Sequence, residues 1–411
     1  MPSPAVETDP AEAGFDPGRL ARLDRHFAAY VDDGRLPGWT IVVGRGGRVV
    51  HASSYGMADV DSGRPVVDDT LFRVYSMTKP ITSVAAMMLY EEGAFELNDP
   101  VHRYLPAFRD RQVYRSGSAN APATVPSREP MRVWHLMTHT AGLTYGFMHA
   151  HPVDAIYRAA GYEWGAPRGA DLGRMCDDLA AAPLLFEPGT EWNYSVATDV
   201  LGRLVEIWSG QSLDRFFAER IFGPLGMTDT AFCLPAGGEQ RLATLYFPGP
   251  GRKAVAAPAD FDPVRSRPPR LLRGGSGLVS TASDYHRFAR MLLGRGELDG
   301  VRLLGSRTVD YMTANHLPGG ADLEAVGRPL FAETTFRGVG FGLGVSVTLD
   351  PAAAKVLDAP GTYGWGGAAS TTFWVDPANE LTGLFLTQLL PSGTHPIPSQ
   401  LKQLVYQALV D

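Results

Sequence analysis

Cysteine and long apolar runs are both scarce in this sequence. Cys176 and Cys233 are the two cysteines among 411 residues, too few for a disulfide scaffold or a cysteine-based metal site. No apolar run is long enough to span a bilayer, and residues 1–14 are acidic and proline-rich, without the apolar core of a secretory signal. We therefore predict a cytoplasmic protein that uses neither a membrane nor a metal.

Positive charge is also in short supply. The formal net charge is −7 and the isoelectric point is near 5.8. No basic stripe appears, so nucleic acid and anionic membranes are excluded as main partners. A hydrophobic content of 45% over 411 residues is enough for one large core or two smaller ones. These properties favour a small-molecule partner, indicate no cofactor and leave the oligomeric state open.

Lysine is the rarest basic residue. Only four of the 37 lysines and arginines are lysine, and one of them lies in Ser76-Met77-Thr78-Lys79. Arginine practically never gives up its proton, whereas a buried lysine can be neutral. In a helix, a separation of three residues places the Ser76 hydroxyl and the Lys79 amine on the same face. The amine can then accept the hydroxyl's proton.

The residues around Ser76 predict the start of a helix. Pro80 is tolerated only in a first turn, and apolar residues then recur at helical spacing until Gly93. The helix N-terminus favours the developing negative charge of a serine alkoxide. Because Ser-x-x-Lys also arises by chance, Ser76 as a simple helix cap and Lys79 as a solvated residue remain an alternative on this motif alone.

The remaining patterns indicate mixed α and β structure at both chain ends and helices between them. Predicted strands are 39–45, 48–55, 341–349, 371–375 and 381–388, and predicted helices are 17–33, 133–138, 172–181, 201–208, 213–222 and 398–409. The proline- and arginine-rich residues 247–270 predict an irregular wall or lid. We expect residues 1–105 and 270–411 to form one α/β domain, residues 106–269 a helical domain, and the active site to lie in the cleft between them.

Two further motifs accompany the Ser76 pair. A turn at residues 187–191 leads through an aromatic segment to Tyr194, just ahead of a helix. Residues 363–368, with the sequence Tyr-Gly-Trp-Gly-Gly-Ala, precede a predicted strand, and the glycines permit a ligand to approach the backbone closely. His135 and His139 have a metal-like spacing, but the glutamate of a zinc-protease motif is missing, so structural roles are favoured. The Gly-rich residues 274–278 are interpreted as a tight turn entering a helix.

Together these motifs resemble the serine β-lactamase-like superfamily, and within it the class C-like family VIII carboxylesterases. Ser76-Met77-Thr78-Lys79 is similar to the family's Ser-x-x-Lys, Tyr194-Ser195-Val196 to its Tyr-x-Asn, and Trp365-Gly366-Gly367 takes the place of the Lys-Thr-Gly of true β-lactamases. The resemblance spans nearly the whole chain. It implies an antiparallel sheet flanked by helices, an all-helical domain, and an active site where the two meet.

The resemblance also implies the site residues and the activity. Ser76 would be the nucleophile, Lys79 and Tyr194 a coupled acid–base pair whose members the sequence does not rank, and the amides of Ser76 and Ala368 the oxyanion donors. Trp365, Gly366 and Gly367 would contact the substrate. Apart from the resemblance, the position of Tyr145 just after the Gly142-Leu143 turn predicts that it lines the acyl pocket. Val196 and Trp365 replace an asparagine and a lysine that serve β-lactam substrates, which favours a neutral ester.

The expected function is therefore hydrolysis of small carboxylic esters through an acyl-serine. The absence of a Gly-x-Ser-x-Gly elbow argues against an α/β-hydrolase. Three alternatives remain: an acyltransferase on the same scaffold, a weak β-lactamase or D-amino acid peptidase, and a binding protein that has kept only the fold. Joint retention of Ser76, Lys79 and Tyr194 argues against the last.

Overall fold

The computed structural model describes residues 5–264 and 266–410. Its strands are β1 (Gly38–Arg45), β2 (Arg48–Asp59), β3 (Arg64–Pro65), β4 (Phe72–Arg73), β5 (Gln112–Ser118), β6 (Ala121–Pro126), β7 (Tyr246–Pro248), β8 (Ala254–Ala256), β9 (Val279–Ser280), β10 (Glu297–Leu298), β11 (Val301–Arg302), β12 (Val339–Phe341), β13 (Ser346–Thr348), β14 (Tyr363–Gly367), β15 (Thr371–Asp376) and β16 (Leu381–Leu386). Its helices are α1 (Pro17–Leu20), α2 (Arg22–Asp32), α3 (Thr78–Glu91), α4 (Val133–Met137), α5 (Pro152–Ala159), α6 (Leu172–Ala181), α7 (Ala197–Ser209), α8 (Leu213–Phe217), α9 (Gly223–Leu225), α10 (Ala282–Leu293), α11 (Ser306–Met312), α12 (Leu323–Val326), α13 (Pro351–Ala354) and α14 (Ile397–Tyr406).

An eight-stranded antiparallel sheet joins the two ends of the chain. Its strand order is β12-β13-β14-β15-β16-β1-β2-β3. β1 lies between β2 and β16, with Val42 opposite Leu384. Gly46 and Gly47, both with positive φ, close the β1–β2 hairpin as their sequence predicts. The expected sharing of one sheet by the N- and C-terminal segments is therefore confirmed.

Helices cover both faces of the sheet. One apolar cluster joins α2 and α14 to β1 and β16 through Phe27, Trp39, Phe385 and Leu401. A larger cluster on the other face includes α3, α7 and α10. Residues 78–89 of α3 are all buried, as expected for a helix with few polar positions that runs through the middle of a domain. The first turn of α3 is thus held in a rigid core.

Two segments near the C-terminus differ from what the sequence predicts. The predicted strand 341–349 was wrong as a single element, because β12 and β13 are separate antiparallel strands joined by a turn. Gly344 allows that turn: its φ is +100°, and an added Cβ would lie 2.0 Å from Ser83 Oγ. Residues 363–367, predicted to precede a strand, are themselves strand β14. Since three of its five residues are glycines, β14 lacked an alternating apolar pattern.

The helices of the middle segment largely match the prediction. α4, α6 and α7 lie at the predicted places, although α7 begins earlier, and α8 continues into a π-helical turn at Ala218–Phe222. The sequence patterns did not predict the β5–β6 and β7–β8 hairpins. β6 has no buried residue, so its sequence lacks the alternating apolar pattern from which a strand is predicted. None of the helices in the described ranges is long and apolar enough to cross a membrane.

Candidate active site

Ser76 lies in a tight turn at the entrance of α3. The turn is a single 3₁₀ unit, Tyr75–Met77, and α3 follows directly. Tyr75 has a φ of +43°, a left-handed conformation that a residue with a bulky side chain rarely adopts. Its phenol donates a 2.6 Å hydrogen bond to Asp262 in the connection predicted as a wall. That connection therefore anchors the residue immediately before Ser76.

The Lys79 amine is buried beside the Ser76 hydroxyl. Lys79 is 1% exposed, and its Nζ donates to Ser76 Oγ at 3.1 Å and to the Gly275 carbonyl at 2.8 Å. Burial lowers the pKa of Lys79 to about 7, although the carboxylates of Asp199 and Glu333 oppose that shift. A substantial fraction of the amine is therefore neutral near neutral pH, as required of a proton acceptor.

Tyr194 also contacts the Ser76 hydroxyl. It lies in the segment before α7, and its hydroxyl donates to Ser76 Oγ at 2.5 Å. The Lys79 Nζ lies 4.5 Å from the centre of the Tyr194 ring. Burial first, and the nearby Glu333 carboxylate second, raise the pKa of Tyr194 well above its ordinary value. The phenol is therefore protonated in the free protein.

The glycine-rich strand β14 closes the third side of the site. The Trp365 indole Nε1–H lies 3.4 Å from the Tyr194 hydroxyl, and the two rings are 5.4 Å apart. At Gly367 a Cβ would lie 2.4 Å from the carbonyl oxygen of Val74, so no other residue permits this approach. Ala368, next in the chain, packs in the same apolar cluster as Tyr75. The strand end thus lies against the turn that carries Ser76.

Aromatic side chains form a wall from Tyr194 to the surface. Tyr145 contacts Tyr194 edge to face at 5.2 Å and stacks on Phe147 at 4.7 Å. Phe147 in turn stacks on Trp164 at 4.6 Å. Trp164 and Phe331, which lies 6.4 Å from Tyr194, are both exposed. The wall therefore offers an apolar surface for the body of a substrate.

The structure brings together every site residue that the sequence analysis selected. Ser76, Lys79 and Tyr194 are hydrogen bonded, and Trp365 and Tyr145 contact Tyr194. The remaining members of that set, Gly366, Gly367 and Ala368, lie at the end of β14 beside the Ser76 turn.

Sequence reasoning missed three residues around this site. The Gly275 carbonyl accepts from Lys79, and Asp199, on α7, accepts from the Gly275 amide at 3.0 Å. The Gly-rich segment 274–278 was interpreted from the sequence as a turn entering a helix. It leads instead to the short strand β9, and its Gly275 carbonyl faces the Lys79 amine. Glu333 lines a cavity beside Trp365 and Gly366, and no motif marked it in the sequence.

The two histidines that resemble a metal pair have other contacts. His139 Nδ1 lies 3.1 Å from Ser195 Oγ, and its ring packs edge to face on Tyr194 at 5.1 Å. His135 Nδ1 accepts from the Arg132 amide. Burial lowers the pKa of both rings. Among residues 5–264 and 266–410, no group of three or more His, Cys, Asp or Glu side chains is arranged to hold a metal ion.

Known proteins resemble this chain in sequence and in structure. A family model described as Beta-lactamase matches residues 23–407. An uncharacterised protein of Mycobacterium tuberculosis is 37% identical over 367 residues, which span 88% of each chain. Esterase EstB of Burkholderia gladioli is 33% identical over 420 residues, covering 98% of this chain and 99% of that protein. The solved structure of EstCE1, described as a hydrolase with promiscuous acyltransferase activity, has a TM-score of 0.78 at 29% identity and covers 95% of this chain and 99% of its own. The predicted β-lactamase-like fold is thereby confirmed, and the chain belongs to the β-lactamase family.

Proposed function

We propose that the protein is a serine carboxylesterase that cleaves small carboxylic esters through an acyl-serine. One observation carries the proposal: Ser76 Oγ lies 3.1 Å from the Lys79 amine and 2.5 Å from the Tyr194 hydroxyl in a buried site. A hydroxyl is a weak nucleophile until a base removes its proton. The similarity to Esterase EstB supports the choice of an ester as substrate.

Lys79 is the base of the acylation step in this proposal. A neutral Lys79 amine donates one hydrogen to Gly275 and keeps its lone pair for the Ser76 proton. Tyr194 does not suit this role in the free protein because its raised pKa keeps the phenol protonated. As Ser76 Oγ bonds to the ester carbonyl carbon, its proton therefore passes to Lys79.

The amides of Ser76 and Ala368 stabilise the tetrahedral oxyanion in this proposal. The close packing of Gly367 on Val74 supports it, because this contact keeps the end of β14 beside the nucleophile. One oxyanion donor typically contributes about 3 to 4 kcal/mol of barrier reduction. Trp365, Gly366 and Tyr145 would contact the bound ester.

Tyr194 donates the proton that the leaving alcohol requires. The carbon–oxygen bond to the alcohol breaks, the alkoxide takes the phenol proton, and the Lys79 ammonium returns a proton to the phenolate. Water then adds to the acyl carbon and gives a proton to the same pair. The bond from that carbon to Ser76 Oγ breaks, Ser76 Oγ takes the proton back from the pair, and the carboxylic acid leaves. Each group thus ends in its starting protonation state.

Substitution of the nucleophile tests the proposal. Ser76→Ala is expected to lower kcat/KM for p-nitrophenyl butyrate by a factor of about 10⁴ or more, because the covalent route is lost. A fluorophosphonate should label the wild-type peptide that contains Ser76, as read by mass spectrometry. Ser83→Ala on the same helix is the matched control, since its buried Oγ has no hydrogen-bond partner among the described residues. Wild-type turnover by Ser76→Ala would disprove the assignment.

Acyl transfer is the second candidate function. The similarity to EstCE1, described as having promiscuous acyltransferase activity, favours it, as does the aromatic wall, which suits an apolar acceptor. The acyl-serine is the same, and an alcohol replaces water as its acceptor. The ratio of new ester to free acid in the presence of a competing alcohol separates the two functions.

Trp365 in place of a lysine supports neutral esters over β-lactams or D-amino acid peptides. We further propose that residues 1–105 with 270–411 and residues 106–269 form the two domains flanking the site. The acidic net charge of −7 supports the absence of nucleic-acid and membrane partners. A cytoplasmic location is also proposed, and cell fractionation tests it.

A further inference from the structure

Glu333 is an acidic residue beside the catalytic centre that the proposed mechanism does not use. It lines a cavity of ≈ 490 Å³ together with Trp365, Gly366 and Ser392. An added Cβ on Gly366 would lie 3.2 Å from Glu333 Oε2, so the carboxyl lies directly on the substrate-facing strand. Its carboxylate also raises the pKa of both Lys79 and Tyr194.

One oxygen of this carboxyl has no partner. Glu333 Oε2 accepts a 2.7 Å hydrogen bond from the Ser392 hydroxyl. Oε1 is shielded from solvent and has no hydrogen-bond partner among the described residues. A buried acceptor without a donor costs about 1 to 3 kcal/mol, and more when it is charged. An oxygen of this kind next to a substrate strand is suited to a donor that arrives with the substrate.

The basic side chains near the cavity contact groups other than Glu333. Lys402 is ion-paired with Asp358, and Arg252 donates to the carbonyl of Thr394. Lys79 contacts Ser76 and Gly275 rather than Glu333. His395, which also lines the cavity, has a pKa lowered mainly by burial. The field at Glu333 Oε1 is therefore not neutralised by a direct ion pair.

We infer that Glu333, held by Ser392, forms a subsite that binds a hydrogen-bond donor on the substrate, a hydroxyl or a primary ammonium group, and disfavours a carboxylate. This inference rests on the proposed esterase function and adds the class of ester. The substrate donor would give Glu333 Oε1 its hydrogen bond. A substrate carboxylate at the same place has no hydrogen to donate, so two acceptor oxygens would face each other at short range. The preferred substrates are hydroxy or amino esters with an apolar body for the aromatic wall.

A purely structural role would give a different result. If Glu333 is protonated and only holds Ser392 in place, the preference of the enzyme among substrates should not depend on the charge of the ester. Burial raises the pKa of Glu333 to about 7, so its ionised fraction grows between pH 6 and pH 8. A binding role therefore predicts that the preference for an ammonium ester over its neutral analogue increases across this range, and a structural role predicts no change.

A panel of matched esters tests the inference. It comprises p-nitrophenyl heptanoate, 6-hydroxyhexanoate, 6-aminohexanoate and mono-adipate, with a second set that carries the same groups on the alcohol of acetate esters. In at least one set, kcat/KM for the amino ester should exceed that for the carboxylate ester roughly tenfold to hundredfold, the range expected for a hydrogen bond to a charged group. Glu333→Gln should reduce that ratio at least about tenfold. Glu324→Gln, at an exposed position on α12, is the matched control and should keep the ratio.

The outcomes separate this inference from the proposed function. An unchanged amino-to-carboxylate ratio in a folded Glu333→Gln protein overturns the subsite. A wild-type protein that prefers the carboxylate ester, or ignores the charge in both sets, also overturns it, even where Glu333→Gln does not fold. If the subsite is overturned in this way, the esterase function still stands, provided that the esters are hydrolysed and that a fluorophosphonate labels Ser76. Absence of both hydrolysis and labelling instead refutes the esterase function.

Discussion

At the scale of single residues, the central feature is Lys79, at a position where an arginine could not accept a proton. The Lys79 amine is buried between Ser76 Oγ and the Gly275 carbonyl, and burial lowers its pKa to about 7. A guanidinium would stay protonated there and have no lone pair for the serine proton. Asp199 completes the arrangement, because it holds the Gly275 amide and so aims the carbonyl at the amine.

The pKa of Lys79 predicts how activity depends on pH. Because the neutral amine is the active form, kcat/KM for p-nitrophenyl butyrate should rise about tenfold per pH unit below pH 7 and level off above it. The value kcat/KM reports the ionisation of the free enzyme, so the midpoint should lie near the Lys79 pKa of about 7. Initial rates at low substrate concentration between pH 5 and pH 9 measure it.

Glu333→Gln serves as the control for this profile. The Glu333 carboxylate raises the pKa of Lys79, so its neutralisation should move the midpoint to lower pH and leave the shape unchanged. Disappearance of the rising limb in that variant would show that Glu333, and not Lys79, is the titrating group. A limb that begins only at strongly alkaline pH would identify the Tyr194 phenolate as the base.

At the scale of elements, the site depends on the contact between the end of β14 and the turn before α3. Gly367 makes this contact possible, since a Cβ there would lie 2.4 Å from the Val74 carbonyl oxygen and 2.3 Å from Thr371 Oγ1. The turn itself is anchored on its other side by the hydrogen bond from Tyr75 to Asp262. Backbone packing and the Tyr75 side chain thus position the nucleophile against the strand.

A methyl group at position 367 is expected to separate these two elements. Gly367→Ala should lower kcat for p-nitrophenyl butyrate about 10²-fold to 10³-fold, the loss typical of a missing oxyanion donor. KM should change much less, since the aromatic wall is untouched. Gly173→Ala on α6, where the nearest atom is 3.4 Å away, is the control and should keep full activity. Equal activity of the two variants would refute the role of this contact.

At the scale of the whole molecule, the sheet joins segments from opposite ends of the chain. Phe385 on β16 lies opposite Ile41 on β1. Its ring contacts Phe27 of α2 at 4.8 Å and stacks on Trp39 at 6.3 Å. Contacts between residues so far apart in sequence form only after a large loss of chain entropy. The site is therefore assembled only when both ends have come together.

Removal of this ring should destabilise the entire fold. Phe385→Ala is expected to lower the free energy of unfolding by about 3 to 5 kcal/mol, because it leaves a cavity between α2 and the sheet. Urea unfolding followed by both tryptophan fluorescence and esterase activity measures it, and the two signals should shift together. Leu357→Ala, whose side chain is 53% exposed, should change stability by less than about 0.5 kcal/mol. Loss of activity at a much lower urea concentration than the fluorescence change would show that the protein does not unfold as one cooperative unit.

Much of this protein was predictable from its sequence. The Ser76 pair, Tyr194 and the Trp365 segment were found as motifs, because each needs a particular residue type at a local spacing. The helix at Ser76 and the β1–β2 hairpin were found for the same reason. The break between β12 and β13 was missed, because the turn depends on the packing of Gly344 against Ser83 of α3, far away in sequence.

The order of residues along the chain specifies which groups are available for chemistry: a serine, a rare lysine, a tyrosine and a glycine-rich segment. The packing of distant segments sets the chemical properties of these groups. It buries Lys79 enough to lower its pKa to about 7, directs the Gly275 carbonyl to the amine, and places Glu333 beside Gly366. Burial and charge at a site are set by neighbours that lie a hundred or more residues away along the chain, and local sequence patterns do not specify which of those residues meet.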